Sequence, residues 1–313
     1  MLYYIIRRVL YAIPILATVS FLTIMLFYGV FPPERIARNN LSAKNPTQKQ
    51  MKEWLNQHGY DKPKLQQITE QTVNMFTLRF GKSDANGEDI WEHIGKGWQP
   101  SFAIATLIFI GTQIVCISGA LFLAYFRGTY VDYWGTFLCV LAMSIVSIVY
   151  IITGQFILGK LLKIFPFGGY HGGLTGLKFV LLPALMGIFY QFGNQTRLYR
   201  TFMLEEMNQD YVRTARAKGV SEPGILFKHV LKNAAVPIVT SSVATIPGLF
   251  LGSLLLESFF NIPGLGNYLL DAINSADFAV VRAMVYLGTM LTILGYIMTD
   301  IGYALVDPRV RLE

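Results

Sequence analysis

Long uncharged runs alternate with polar stretches along this chain, and six of the runs approach the length of a membrane crossing. They cover residues 9–31, 102–126, 133–159, 179–196, 233–256 and 283–299, the last continuing past Asp300 to Val306. About 20 apolar residues in a helix span the hydrocarbon core of a bilayer. Backbone amides find no water there, so each run is expected to be helical. The two-residue alternation of a membrane β-barrel does not occur in these runs. Two runs are irregular. Residues 179–196 are few and end in Gln191, Asn194 and Gln195, while 233–256 is interrupted by Pro247-Gly248, a candidate hinge. The pattern predicts an all-α membrane protein with about six transmembrane helices. Its parts are an N-terminal helix over 1–31, a polar segment over 32–99, a core of five helices over 100–306 and a tail over 307–313.

Composition agrees with this reading. Only 14% of the 313 residues are charged and 53% are hydrophobic, whereas a soluble domain carries about 25% charged residues. The net charge of +7 does not point to nucleic acid. Its densest basic segment lies beside membrane runs, where Lys and Arg mark the cytoplasmic side. Arg7-Arg8 before the first run favour a cytoplasmic N-terminus, and an even number of crossings places Arg309 and Arg311 on the same side. Residues 197–236 then also lie inside, with seven basic residues against four acids, a balance of +3. Lys160, Lys163 and Lys178 fall on the opposite side and argue against this orientation, but they are fewer. The polar segment 32–99 is expected outside, since a loop that long crosses regardless of its charge. The first run exceeds the roughly 7–15 apolar residues of a cleaved leader and is expected to be retained. Cys116 and Cys139 lie within apolar runs, so neither a disulfide framework nor a cysteine metal site is indicated.

The block at 197–236 carries ordered signals. Met203, Met207, Tyr211 and Ala215 recur every fourth residue, laying a soft stripe on one helical face. Glu205, Gln209, Arg213 and Arg216 occupy another face. Asp210 could alternatively cap a fresh helix at Tyr211, leaving a kink. Gly219 follows Lys218 where a residue of positive φ is wanted, so the helix should stop and turn. Ser221 can cap the next helix, with Glu222 and Pro223 in its first turn. A merely solvated loop has no reason to carry a stripe, a stop and a cap in consistent order, so the unit reads as helix, tight turn, helix, presented to a partner.

Elsewhere the chemistry is sparse. Spacing over 47–55 suits an amphipathic helix with Met51, Trp54 and Leu55 on one face, and 90–94 suits a second short helix ending before Pro100 starts the next span. The segment that holds them is either a platform for a soluble partner or a spacer. Gly81-Lys82-Ser83 has the tail of a phosphate-binding loop, but Phe76 stands where the first glycine belongs. His58, His93, His171 and His229 lack metal-ligand spacing, and no nucleophile motif occurs. Polar residues within the runs are Thr112, Gln113, Ser144, Ser147, Ser241, Ser242 and Thr245. They either line a translocation path or serve helix packing. Asp300, near the end of the last run, is either a functional intramembrane acid or an interfacial one.

Several stretches together resemble the oligopeptide/dipeptide class of bacterial ABC-importer permeases. They are Asp210-Tyr-Val-Arg-Thr-Ala-Arg-Ala-Lys-Gly219 and Phe227-Lys-His-Val-Leu-Lys-Asn-Ala-Ala-Val-Pro237, Leu181-Leu-Pro-Ala184, Glu257-Ser-Phe-Phe-Asn-Ile-Pro-Gly-Leu-Gly266, Asp277-Phe-Ala-Val-Val281, the Arg-Arg pair near Met1, and Asp307-Pro-Arg-Val-Arg-Leu312. The order is that of the family over nearly the whole chain, and only residues 35–97 match poorly. The resemblance implies a type I importer permease fold in the bacterial cytoplasmic (inner) membrane, working by alternating access. It implies that Asp210, Tyr211, Arg213, Thr214, Ala215, Arg216, Ala217, Lys218 and Gly219 form a coupling helix that meets an ATPase. Implied partners are a second homologous permease, two ATP-binding subunits and an extracytoplasmic substrate-binding protein, besides the lipid membrane. No cofactor is expected in this chain; ATP and Mg would be bound by the partner subunits, so the chain itself is not an enzyme. Implied cargo is di- or oligopeptides, or a peptide-like or nickel-chelate compound. The general type I pattern begins Glu-Ala-Ala and has Leu-Pro after the glycine. Here Arg213-Thr214-Ala215 and Leu231-Lys232 stand instead, which blurs which side chains meet the motor. The rival reading is an ion-coupled secondary transporter needing no ATPase, against which the runs show no inverted repeat.

Overall fold

The computed structural model describes residues 2–30, 33–41, 46–170, 176–249 and 253–306. Phe31, His171 and the basic tail with Arg309 and Arg311 lie outside the described residues. Helix α1 (Leu2–Val30) carries the first apolar run, and α2 (Pro33–Asn40), α3 (Gln48–Gln57) and α4 (Lys64–Phe76) follow within the polar segment. Next come α5 (Ile90–Tyr125), α6 (Tyr130–Ser144), α7 (Ser147–Gly154, widening into a π-helical stretch over Gln155–Leu161) and α8 (Leu177–Met207). The remainder is α9 (Asp210–Ala217), α10 (Glu222–Ile225, continued by Leu226–Val230), α11 (Leu231–Val243), α12 (Ile246–Leu249), α13 (Leu254–Phe259), α14 (Leu265–Asn274) and α15 (Phe278–Val306). By length and apolarity α1, α5 and α15 can each cross a membrane, and α6 with α7 meets the same measure only as a bent pair, a broken span or a re-entrant loop; the other described helices fall short of it.

Four sequence expectations need correction. The run over 133–159 is not one straight helix: α6 and α7 meet at 94°. Ile145 and Val146 sit extended at the corner, where β-branched side chains weaken the helix. Tyr150 Oη donates to the carbonyl of Ala142 at 2.9 Å, beside the longer bond from Ile145 N–H at 3.3 Å. The run over 233–256 is likewise divided among α11, α12 and α13. Pro247 has no N–H for the carbonyl of Val243, four residues back. Residues 90–94 are not a separate helix, because α5 starts at Ile90 and passes through Pro100. Asp89 caps it, its carboxylate accepting from the N–H groups of Trp91 and Glu92. Finally, the stripe from Met203 to Ala215 is not continuous, since the helix breaks between Met207 and Asp210.

Close approach of α5 and α8 forms the centre of the bundle. A Cβ on Gly111 would collide with Ile188, and one on Gly187 with Ile108. Small residues facing each other let helices pack closely in lipid, where no hydrophobic drive separates helix from solvent. At the bundle edge α1 lies along α15, and Arg8 pairs with Asp300 at 3.0 Å. Asp300 thus stands in an ion pair between the first and last helices.

The polar segment is docked on the core rather than trailing from it. Met75, Phe80, Ile90 and Ile94 are buried with Leu265, Ala272 and Val280–Leu287 residues of α14 and α15. Trp54, partly buried Met51 and Leu55, and Tyr60 pack with Ile36 and Phe278, so α3 buries the face expected of it. Each buried apolar side chain contributes roughly 1.5–3 kcal/mol, against about 1 kcal/mol for a hydrogen bond; burial therefore drives docking and polar groups set its register. Those groups are two buried carboxylates at the start of α15. Asp277 accepts from the Ser83 hydroxyl, from Asp84 N–H at 3.1 Å and from Val280 N–H at 3.2 Å. Asp84 in return accepts from Ala279 N–H at 3.1 Å and Tyr60 Oη at 2.8 Å. Ser83, the last residue of the phosphate-loop-like triplet, is spent on this latch.

Burial pushes the Asp84 carboxyl above its ordinary range, aided by the nearby charge of Asp277 and opposed by Arg282 and the Tyr60 hydrogen bond. A raised carboxyl binds its proton more tightly when folded, so its favourable contribution is full at acidic pH and is lost as pH rises through the raised value. Protease resistance of the 33–99 segment should therefore fall as pH is raised from acidic toward neutral. Asp84→Asn, which keeps both acceptor bonds, should flatten that dependence; limited proteolysis across pH checks this.

Candidate functional site

The helix–Gly–helix unit at residues 208–230 is built on an apolar anchor. Val212 and Ala215 of α9 are buried with Ile225, Leu226 and Val230 from the next helix. The same cluster holds Tyr199 and Met203 of α8 and Leu121 and Ala124 at the end of α5. Val212 takes the inward position, and Tyr211 turns out to donate to Glu206 at 2.5 Å. Gln209, not Asp210, occupies the cap position of α9, and Ser221 precedes α10 without its hydroxyl bonding the helix. Gly219 closes α9 with φ +78. Its N–H donates to Arg216 O at 2.9 Å and Val220 N–H to Ala215 O at 3.2 Å, the double bond pattern of a Schellman stop.

The outward side of the unit is charged and braced. Arg216 grips Glu222 through Nε at 2.6 Å and Nη2 at 3.1 Å, tying the two helices across the glycine turn. That hydrogen-bonded guanidinium holds the Glu222 carboxyl below its ordinary value. Arg213, with 74% of its side chain exposed, makes a long contact to Asp210 at 3.4 Å. Thr214, Ala217 and Lys218 are exposed, as is Phe227. Nearby, Arg200 of α8 holds the buried Asp132 of α6 with a two-pronged bond, both arms at 2.8 Å. Neither partner of that pair stood out in the sequence, because an acid and a base 68 residues apart carry no periodic signal.

The candidate pathway residues separate into groups. Ser144 Oγ bonds its own helix at Val140 O and is exposed, and Ser241 bonds Ile238 O. Ser147 is half-buried at the α6–α7 corner, and Thr112 is buried in α5. Gln113 and Ser242 are brought together: Gln113 Oε1 accepts from Tyr199 Oη at 2.8 Å and from Ser242 Oγ at 2.9 Å. Thr245 lines a cavity of about 320 Å³, together with Gln191, Ser101, Ser253 and Gly248 over an apolar floor of Ile104, Ile108 and Leu256. Of the candidate hinge pair, Gly248 lines the cavity; the Pro247 side chain lies outside what is described.

A buried acid beside the cavity was missed. Glu257 is fully buried and accepts from the N–H groups of Gly266 at 2.7 Å, Asn267 at 3.1 Å and Ser253 at 3.1 Å. It caps the start of α14 from a neighbouring helix, the favourable place for a carboxylate. Any side chain at Gly264 would strike this carboxylate and Ser101. An acid at the edge of an apolar run reads as a boundary in sequence, although a buried polar cluster was signalled by the glycines that follow it.

The geometry is now that of a helical membrane bundle with an exposed two-helix elbow. Residues 117–312 match the family described as binding-protein-dependent transport system inner membrane component. The chain belongs to this family. Its fold is accordingly that of a type I ABC importer permease. Over 314 residues it is 30% identical to the oligopeptide transport system permease protein AppB of Bacillus subtilis, covering 98% of both chains. It is 31% identical to the dipeptide transport system permease protein DppB of Lactococcus lactis, over 82% of this chain and 83% of that one. The dipeptide transport system permease protein DppB of Bacillus subtilis is 28% identical over 81% of each.

Among the described residues, and apart from its chain neighbours, no atom lies within 4 Å of a Cβ placed on Gly219, so its constraint there is backbone conformation. Left-handed conformation costs an ordinary residue roughly 1–2 kcal/mol, and Asn tolerates it best. Gly219→Asn should leave transport near the parental level. Gly219→Val and Gly219→Pro should abolish most of it while the subunit still inserts; uptake together with blotting of membrane fractions checks both halves.

Proposed function

We propose that this permease carries di- or oligopeptides inward through the cytoplasmic membrane, driven by ATP hydrolysed on separate subunits. What carries the reading is the elbow at residues 208–230. Its inner face is fixed to α5 and α8 by Val212 and Ala215, and its outer face leaves Arg213, Thr214, Ala217 and Lys218 in solvent. A loop needed only as a connector gains nothing from such an anchored, cation-bearing surface. In this reading Asp210–Gly219 is the coupling helix, and both termini lie on its side of the membrane. The docked 33–99 segment lies opposite, where an extracytoplasmic binding protein delivers cargo. A second homologous permease completes the path, and two partner ATPases bind ATP and Mg. The peptide assignment rests on the named transport systems of the relatives, together with a largely apolar cavity that carries Ser101, Gln191, Thr245 and Ser253.

Two variants separate docking from internal bracing. Arg213→Glu alters exposed charge only, and uptake of a labelled dipeptide should drop by roughly tenfold while the ATPases remain associated. Arg216→Glu places an acid beside Glu222 and should impair uptake; the swap Arg216→Glu with Glu222→Arg should restore it, because the brace is rebuilt. Unchanged uptake in Arg213→Glu would remove the charged face from the docking surface. Uptake that persists after ATP depletion would remove the motor altogether.

A further inference from the structure

The hinge between α11 and α12 is held by a polar cluster that docking at the elbow does not use. Val243 lacks its helical donor because Pro247 has no N–H. Thr299 of α15 supplies one, its hydroxyl lying 3.0 Å from Val243 O and also 2.8 Å from Gly295 O. A single proton thus serves two acceptors. Next to it, Ser242 Oγ lies 2.7 Å from Ile238 O, 2.9 Å from Gln113 Oε1 and 3.1 Å from Tyr199 Oη. Tyr199 Oη is 2.8 Å from Gln113 Oε1. Each hydroxyl has one proton and more than one acceptor, so the cluster has alternative pairings that conserve most of its bonds.

Position gives these alternatives a use. Tyr199 is fully buried and lies one helical turn from Met203, which packs with Val212 and Ala215 of the elbow. Further along the same α8, Gly187 and Gln191 line the cavity, and Thr245 and Gly248 of the hinge line it too. One uninterrupted helix therefore touches the elbow, the cluster and the cavity.

We propose that Tyr199, with Gln113 and Ser242, is the positioning cluster that passes elbow displacement to the hinge and so sets the opening of the cavity. This rests on the coupling role assigned to the elbow above. A shift of α8 against α11 trades the Tyr199–Gln113 bond for Tyr199–Ser242. Ser242 then falls back on Ile238 O and Thr299 on Gly295 O, which releases the Val243 carbonyl and lets the chain over 243–247 turn. Packing alone would not need hydroxyls here: two apolar side chains of the same shape would fill the space without leaving a buried polar group unpaired.

The test uses the complete transporter in proteoliposomes with Ala105→Cys as reporter, since Ala105 lines the cavity whereas Cys116 and Cys139 are buried. Labelling by a charged methanethiosulfonate is timed without nucleotide and after trapping with ATP and vanadate. In the reporter background the rate should change by about fivefold or more, and Tyr199→Phe should reduce that change to about twofold or less while ATP hydrolysis continues. The apolar pair Tyr199→Phe with Gln113→Leu should respond as poorly as Tyr199→Phe. A full response in either variant, or failure of both to assemble, would overturn the proposal and leave the cluster a packing element. A reporter background that ignores ATP would instead overturn the coupling reading on which it stands.

Discussion

A broken helix inside a membrane must find new partners for the backbone groups that the break exposes, and this requirement organises the whole structure. Water cannot serve in hydrocarbon, and each unpaired group costs several kcal/mol there. At the corner after α6, Tyr150 reinforces the single long bond that Ala142 O keeps from Ile145 N–H, and the end of α13 is served by Gln155 Nε2 at Phe259 O, 2.7 Å away. The break at Pro247 is served by Thr299, and the start of α14 by Glu257. In every instance the partner side chain is drawn from elsewhere in the fold, most often from a different helix. The breaks therefore fasten the bundle rather than loosen it, and the one at Pro247 is flanked by Thr245 and Gly248, which line the cavity.

Sequence pattern carried the continuous elements well. Apolar length located α1, α5 and α15, and local chemistry located the elbow, because Gly219 and the charges around it act within a few residues of each other. Breaks were less legible. Residues 133–159 are as apolar at Ile145-Val146 as anywhere else in that run, so hydropathy is blind to a 94° corner. The stripe through Met207 and Tyr211 kept its spacing while the backbone changed direction beneath it, and Val212 became the buried residue instead. Pro247 was visible as a disturbance, but not which hydroxyl would answer it.

The docked 33–99 segment was least legible for the same reason. Its register depends on Asp84 and Asp277, which are 193 residues apart in sequence yet exchange bonds across one helix start. Periodicity reports neighbours on one helix and says nothing of such pairs. Only the tertiary contacts of Phe80, Ile90 and Ile94 show the segment to be part of the core.

Helix α5 has 36 residues, about 54 Å at 1.5 Å per residue, well beyond a hydrocarbon thickness of about 30 Å. Its first turn is bonded into the polar cap through Asp89 and Ile90, and its last turns, at Leu121 and Ala124, support the elbow. The two water-facing ends of the protein are therefore mounted on one mast. A displacement at one end is carried to the other along this single helix, whose interior lacks a backbone bond at Pro100, near the cap.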